Sequence, residues 1–210
     1  MSEVILYDYW RSSAAYRVRI ALNLKGIAYR SVPVDLTTGE QRSAEYLAAY
    51  PQGLVPALDI DGHRLTQSLA IIDYLDAKVK TPPMVSSDPA TRSHTLAQAL
   101  TIAAEIHPLH NLRVAKYLRK EGGFDEAAVL AWIHRWMGEG LAALEVQAPV
   151  RGFFGGDQPN LADVCLVPQF YSARRFGLSL ERFPRLVRLD EALRIIPAFA
   201  AAAPEAVKPE

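Results

Sequence analysis

The spacing of apolar residues changes character once along the chain, across Thr81-Pro82-Pro83-Met84-Val85-Ser86-Ser87, and this change constrains the architecture more than any other feature. Before it, short runs of β-branched and aromatic residues alternate with stretches of helical spacing. From Asp88-Pro89 onwards, an N-cap followed by proline at the first helical position, every apolar pattern is helical. The reading is therefore two domains, residues 1–83 of α/β type and residues 88–210 all helical, with a linker between. Half of the 210 residues are hydrophobic, enough for a core in each.

In the first part, Val4 to Tyr7 reads as a strand and Ala14 to Lys25 as a helix that Gly26 ends as a C′ glycine. Tyr29 to Val34 is a second strand. Asp35 to Glu40 is a polar loop, and Arg42 to Tyr50 a short helical or irregular connection ended by Pro51. Leu54 to Ile60 and His63 to Leu65 flank Asp61-Gly62, a strong type I′ hairpin signal, and Pro56 is a candidate cis bond. Gln67-Ser68 opens a helix with Ser68 as N-cap, Ile72, Leu75 and Val79 on one face, and Asp76 spaced to pair with Lys80. The order β-α-β-α-β-β-α implies a mixed sheet.

In the second part, a helix from Ala90 to Leu118 is interrupted at His107-Pro108, since proline removes a backbone donor and crowds the preceding turn. Asp125 to Val146 follows, with Trp132, Trp136 and Leu144 as core. Asn160 and Asp163 form a capping-box variant opening Leu161 to Arg175, which is apolar almost all round and so belongs at the domain centre. Pro184 to Ile196 is the last helix, and Ala198 to Glu210 reads as a partly mobile tail.

Charge and cysteine usage exclude several functions. Lys plus Arg and Asp plus Glu both number 23, so no global field recruits nucleic acid or an anionic membrane. No apolar run reaches membrane length, and the amino terminus has no leader-like pattern, so a cytoplasmic location is expected. Cys165 is the single cysteine: it makes no intramolecular disulfide or cysteine-based zinc cluster and reads as an inert core thiol, and no metal is expected.

Chemistry concentrates where the first strand hands over to the first helix, at Arg11-Ser12-Ser13. The first turn of a helix carries unpaired N–H groups and partial positive charge, which stabilise a thiolate or a carboxylate. Two readings stand side by side here: a serine that caps the helix, and an anion site. Arg17 and Arg19 read as structural or solvated helix residues, and Arg174 as a complement to the end of its helix.

Arg11-Ser12-Ser13 with Arg17-Val18-Arg19-Ile20-Ala21-Leu22 and Lys25-Gly26 resembles the signature of the zeta-class glutathione transferases, the class of the maleylacetoacetate isomerases. Leu54-Val55-Pro56-Ala57-Leu58, Gln67-Ser68-Leu69-Ala70-Ile71-Ile72, His107-Pro108-Leu109, Asn111-Leu112-Arg113 and Leu161-Ala162-Asp163 extend the resemblance over essentially the whole chain. It implies a thioredoxin-like α/β N-terminal domain plus an all-α C-terminal domain, a homodimer, and glutathione as cofactor of a cis-trans isomerase. In that family the glutathione thiolate adds to the cis double bond of a maleyl group, the bond rotates, and elimination leaves the fumaryl isomer.

By the same resemblance, Ser12, with Ser13 beside it, meets the thiol, and the backbone of Val55 before Pro56 pairs with the cysteinyl amide. Gln67 and Ser68 take the γ-glutamyl carboxylate, Gln41 and His107 touch the glycyl end, and Asn111 and Arg113 lie on the same kinked segment as His107. Arg11 and Arg175 clamp the carboxylates of a small dicarboxylate substrate. Two departures stand out: Ala14 replaces the usual cysteine after the serine pair, and Tyr50 replaces asparagine before Pro51. Maleylpyruvate isomerase is the close alternative, and a transferase acting on α-haloacids is compatible with the class. A glutathione-dependent thiol oxidoreductase lacks its cysteine, and a non-catalytic binding protein has no use for Ser12, Gln67, Ser68 and both arginines.

Overall fold

The computed structural model describes residues 3–209; Met1, Ser2 and Glu210, at the ends of the two expected domains and of the tail, lie outside them. The chain divides into two compact units. One takes the described residues up to Pro83 together with those from Ile195 on, and the other is Met84–Arg194.

The first unit follows the order read from the sequence: β1 (Ile5–Asp8), α1 (Ser13–Leu24), β2 (Arg30–Pro33), α2 (Ala44–Ala49), β3 (Ala57–Ile60), β4 (His63–Thr66) and α3 (Ser68–Lys78). The sheet order is β2-β1-β3-β4, with β1 parallel to β2 and antiparallel to β3. Asp61 and Gly62 both have positive φ, 53° and 80°, as the expected hairpin turn requires. Gly26 at φ 63° closes α1 in a Schellman arrangement, with the Ile27 N–H on the Leu22 carbonyl at 2.9 Å. The Val55–Pro56 bond is cis, as expected, and so is Thr81–Pro82.

Side chains alternate across β1. Leu6 and Asp8 face α1, where Val18, Ile20, Leu22, Leu58 and Ile72 complete a dry core. Tyr7 faces α2, where it packs on Tyr46 and Tyr50 with Val34 and Ala57. This explains Tyr50: its ring centroid lies 5.1 Å from those of both Tyr7 and Tyr46, and its hydroxyl donates to Asp59 on β3. Burial and that carboxylate push its phenol strongly upward, so it remains a donor. Tyr50→Phe is expected to lower unfolding free energy by about 1.5 to 3 kcal/mol in urea denaturation, the usual cost of a hydrogen bond to a charged group.

Three expectations fail in this unit. Ser68 is the first helical residue of α3, and Gln67 is its N-cap. Asp76 does not wait for Lys80: the buried Lys25 ammonium takes it at 2.7 Å, together with the carbonyls of Val79 and Pro82, because a buried cation recruits every acceptor in reach. Residues 198–209, expected as the tail of the helical domain, group with the first unit instead. A short helix, Pro197–Ala200, lies against α1, where Asn23 donates to the Ala198 carbonyl at 2.9 Å and Phe199 and Ala202 are buried, and a second, Pro204–Val207, follows it. An alanine-rich segment has little periodicity to reveal this; buried donors on α1 supply the attachment.

The second unit consists of α4 (Pro89–Leu100), α5 (Leu112–Lys120), α6 (Glu126–Gln147), α7 (Leu161–Arg175) and α8 (Pro184–Arg194). Asp88 caps α4 through the Thr91 N–H at 2.8 Å. The expected interruption is longer than His107-Pro108. A π-helical turn, Thr101–Ile106, precedes a 3₁₀ turn, His107–His110, so the register shift forced by Pro108 is absorbed one turn upstream. Gly140 on α6 makes room for it, since a Cβ there would overlap the Ile106 side chain. Helix α7 is buried from Leu161 to Phe170 and is central, as its apolar circumference implied. On α6 the buried stripe is Val129, Ile133, Met137, Leu141 and Leu144. Trp132 and Trp136, expected in the core, are half-buried, and Trp132 uses its indole N–H on the Leu109 carbonyl at 2.8 Å.

Candidate active site

In the first unit the β1–α1 turn is closed by the Ser12 N–H on the Tyr9 carbonyl at 2.8 Å. Ser12 is the N-cap of α1, and its Oγ accepts the Ala15 N–H at 3.2 Å. A hydroxyl that accepts through a lone pair still has its hydrogen to donate, so capping and anion binding are compatible roles for one side chain. Ser13 follows as the first helical residue and is buried. Arg11 is half-buried, its guanidinium 5.2 Å over the Trp10 ring and 3.4 Å from the Tyr9 hydroxyl.

The start of α3 is the second feature. Gln67 adopts φ 66°, ψ 113°, a conformation costly for a side-chain-bearing residue and one that clusters at binding sites. Next to it the Ser68 Oγ accepts from Arg17 at 3.4 Å, and Arg17 is only 1% exposed. The solvated reading of Arg17 therefore falls. It places positive charge beneath the N-terminus of α3, where the resemblance puts a carboxylate, and its position in a helix pattern gave no sign of that partner. Gln67→Gly is expected to raise stability by about 1 kcal/mol through relief of strain, yet to weaken glutathione binding several-fold. Thermal denaturation and a glutathione titration read the two effects separately.

Gln41 lies in a 3₁₀ turn, Glu40–Arg42, and its amide oxygen is buried without a hydrogen-bond partner among the described residues. A buried orphan acceptor is costly, so this atom fits a ligand N–H, as the glycyl amide of glutathione offers. Val55 is half-buried just before the cis bond, and the Tyr46 hydroxyl holds the preceding Leu54 carbonyl at 2.8 Å. A cavity of about 530 Å³ also opens in this unit beside Tyr9, Trp10 and Val207; Ser12, Gln41, Val55, Gln67 and Ser68 do not line it.

In the second unit, His107 lies in the 3₁₀ turn with its ring 5.3 Å from that of His110. His110 is buried and shares a 3.2 Å hydrogen bond with Gln169 of α7; its packing role had no sequence signal beyond the interrupted helix. Asn111 caps α5 by accepting the Arg113 N–H at 3.1 Å, and the Arg113 side chain is exposed. At the end of α7 the two arginines part ways. Both are exposed, but the Arg174 guanidinium pairs with the fully buried Asp190 at 2.6 Å, whereas that of Arg175 lies 4.1 Å over the Phe176 ring. No group of metal-ligating side chains occurs among the described residues.

Residues 2–77 match the family of the glutathione S-transferase N-terminal domain. Over 211 residues the chain is 50% identical to maleylacetoacetate isomerase of Rhizobium meliloti, covering 99% of each chain. The chain belongs to the zeta class of the glutathione transferases. Within the class it is also 43% identical to a maleylpyruvate isomerase from Ralstonia, over 96% of this chain and 97% of that one. A crystal structure of maleylacetoacetate isomerase from Methylobacterium extorquens with bound malonate and glutathione superimposes with a TM-score of 0.91 at 38% identity, over 96% of this chain and 97% of that one. The fold is thus a glutathione transferase thioredoxin-like domain with a mixed sheet, plus a helical C-terminal region. No helix among the described residues is long and apolar enough to cross a membrane.

Ala14 is half-buried on the first turn of α1, and Cys165 is fully buried within α7, so neither position offers an exposed cysteine.

Proposed function

We propose that this zeta-class transferase is a glutathione-dependent cis-trans isomerase that converts maleylacetoacetate to fumarylacetoacetate. The observation that carries the reading is Ser12: a hydroxyl at the N-cap of α1, engaged as an acceptor and available as a donor, beside the positive end of a helix. Bound glutathione supplies the nucleophilic thiol that renders the cis double bond rotatable. The chain's part is to hold that sulfur as a thiolate. A free thiol titrates at about 8.5, and one or two charge-assisted hydrogen bonds from Ser12 and the first-turn N–H groups suffice to lower this by about one to two units.

Glutathione binding falls to Gln67 and Ser68 at the start of α3 with Arg17 beneath, to the Val55 backbone before Pro56, and to the orphan Gln41 oxygen. His107, Asn111 and Arg113 are assigned to the same ligand. Arg11 and Arg175 hold the substrate carboxylates; the guanidinium fork matches a carboxylate bidentately, and both arginines are at least partly exposed. A small dicarboxylate agrees with the malonate held by the Methylobacterium relative. The same reading makes the working form a cytoplasmic homodimer.

Maleylpyruvate, a shorter dianion, is the second reading, favoured by the 43% identical Ralstonia relative; Leu112 beside Arg113 leaves one cation there and favours the longer substrate. Absorbance change on freshly generated maleylacetoacetate and maleylpyruvate, with and without glutathione, decides between them. Arg175→Ala is expected to raise KM about tenfold or more, from loss of a charge-assisted pair of about 1.5 to 3 kcal/mol. An unchanged KM removes Arg175 from the site, and failure of both substrates to react removes the isomerase reading.

A further inference from the structure

We infer that Arg19 is a positioning residue for the Ser12 turn, tethering it to the C-terminal segment. This rests on the reading of Ser12 as the residue that meets the thiol. Arg19 is 1% exposed, and each nitrogen of its guanidinium is engaged. One terminal nitrogen contacts both carboxylate oxygens of Asp8 at 2.7 Å, the other donates to the Trp10 carbonyl at 3.0 Å, and Nε donates to the Ala202 carbonyl at 2.9 Å. The guanidinium also lies 5.3 Å over the Tyr16 ring.

An ion pair with Asp8 by itself needs no carbonyl partners. The other two bonds run to the residue two places before Ser12 and to the segment that returns along α1. The Trp10 carbonyl belongs to the turn closed by the Ser12 N–H on Tyr9, so Arg19 fixes the middle of the turn whose end presents the Ser12 hydroxyl. The guanidinium holds its donors apart in one rigid plane and so reaches three separated acceptors in a fixed arrangement, whereas an ammonium gathers its donors at a single rotatable point. Misplacing a donor by even about 1 Å is costly for charge stabilisation. The C-terminal segment thereby becomes part of the support of the catalytic turn rather than an appendage.

The test compares Arg19→Lys, which keeps charge against Asp8 but loses the fork, with Asp8→Asn, which keeps both carbonyl tethers. The readouts are the pH dependence of the ultraviolet thiolate absorbance of enzyme-bound glutathione, and kcat and KM. Arg19→Lys is expected to raise the apparent thiol pKa by about half a unit to one unit and to lower kcat about tenfold, with KM for the dicarboxylate nearly unchanged. Asp8→Asn is expected to lose thermal stability and keep the thiol pKa. If Arg19→Lys does not fold, Asp8→Asn/Arg19→Gln removes the buried charge and the tethers together and is read in the same way.

A folded Arg19 variant with wild-type thiol pKa and kcat overturns the inference, as does an equal pKa shift in Asp8→Asn. Ser12→Ala is measured alongside. If it alone leaves the thiol unchanged, the reading of Ser12 fails; if it shifts the thiol while Arg19→Lys does not, only the positioning role fails.

Discussion

Ser12→Ala is expected to lower kcat/KM for isomerisation by about 100-fold or more, the usual cost of removing one preorganised donor from a developing or resident anion. The substitution does two things that can be separated. It removes the acceptor for the Ala15 N–H, an N-cap worth about 1 kcal/mol, which appears as a small drop in melting temperature. It also removes the donor to the sulfur, which appears as a rise in the thiol pKa of bound glutathione and a fall in activity at neutral pH that more alkaline buffer partly restores. Ser12→Thr keeps both functions and should retain much of the activity. Ser13 is buried and lacks the cap geometry, so Ser13→Ala is expected to cost less. A Ser12→Ala enzyme with wild-type kcat/KM at neutral pH would remove the serine from the mechanism.

Asp163→Ala is expected to cost about 3 to 4 kcal/mol of stability, the largest effect expected of any substitution outside the Ser12 turn. Asp163 is fully buried at the third position of α7, and its carboxylate accepts three backbone N–H groups: Phe154 and Gly155 at 3.1 Å and Asn160 at 2.9 Å. Asn160 reciprocates by accepting the Ala162 and Asp163 N–H groups, and its amide donates to Thr95 of α4 at 3.3 Å. Removing the carboxylate strands three donors in the helix that forms the centre of its unit. Denaturant unfolding measures the loss, and a cost below about 1 kcal/mol would show that the loop at 153–155 finds other acceptors.

The same group carries a pH dependence. Burial pushes the Asp163 carboxyl up to about 6, against the opposing pull of the three N–H groups. Its pKa is therefore higher folded than unfolded, so the folded state binds the proton more tightly. The proton-linked part of the stability it contributes is fully present below about pH 4 and is lost as pH rises through about 6. The stability difference between wild type and Asp163→Asn should shrink over that interval, and growth of the difference with pH would mean that the N–H groups outweigh burial.

Much of both units was legible because their signals are local. Gly26, Asp61-Gly62, Asp88-Pro89 and the Asn160–Asp163 box each act within a few residues, and each appears in the structure at its expected place. The same locality explains the misses. Gln67 displaced Ser68 as N-cap because its strained backbone, at a proposed binding residue, contradicts intrinsic preference. Trp132 and Trp136 were assigned by hydrophobicity, but an indole N–H that needs an acceptor holds one of them at the edge of the core.

The chain by itself determined where strand gives way to helix, which turns close, and the identities of Ser12, Gln67 and Arg175 as candidates, since these follow from periodicity, caps and resemblance read over short windows. The long-range partners of buried charge were decided only in the tertiary structure. Lys25 with Asp76, Arg17 with Ser68, Arg174 with Asp190, and Arg19 with Asp8, Trp10 and Ala202 join residues up to 183 positions apart. A buried cation must find acceptors wherever the packed chain brings them, and no spacing along the sequence records which carbonyl will arrive.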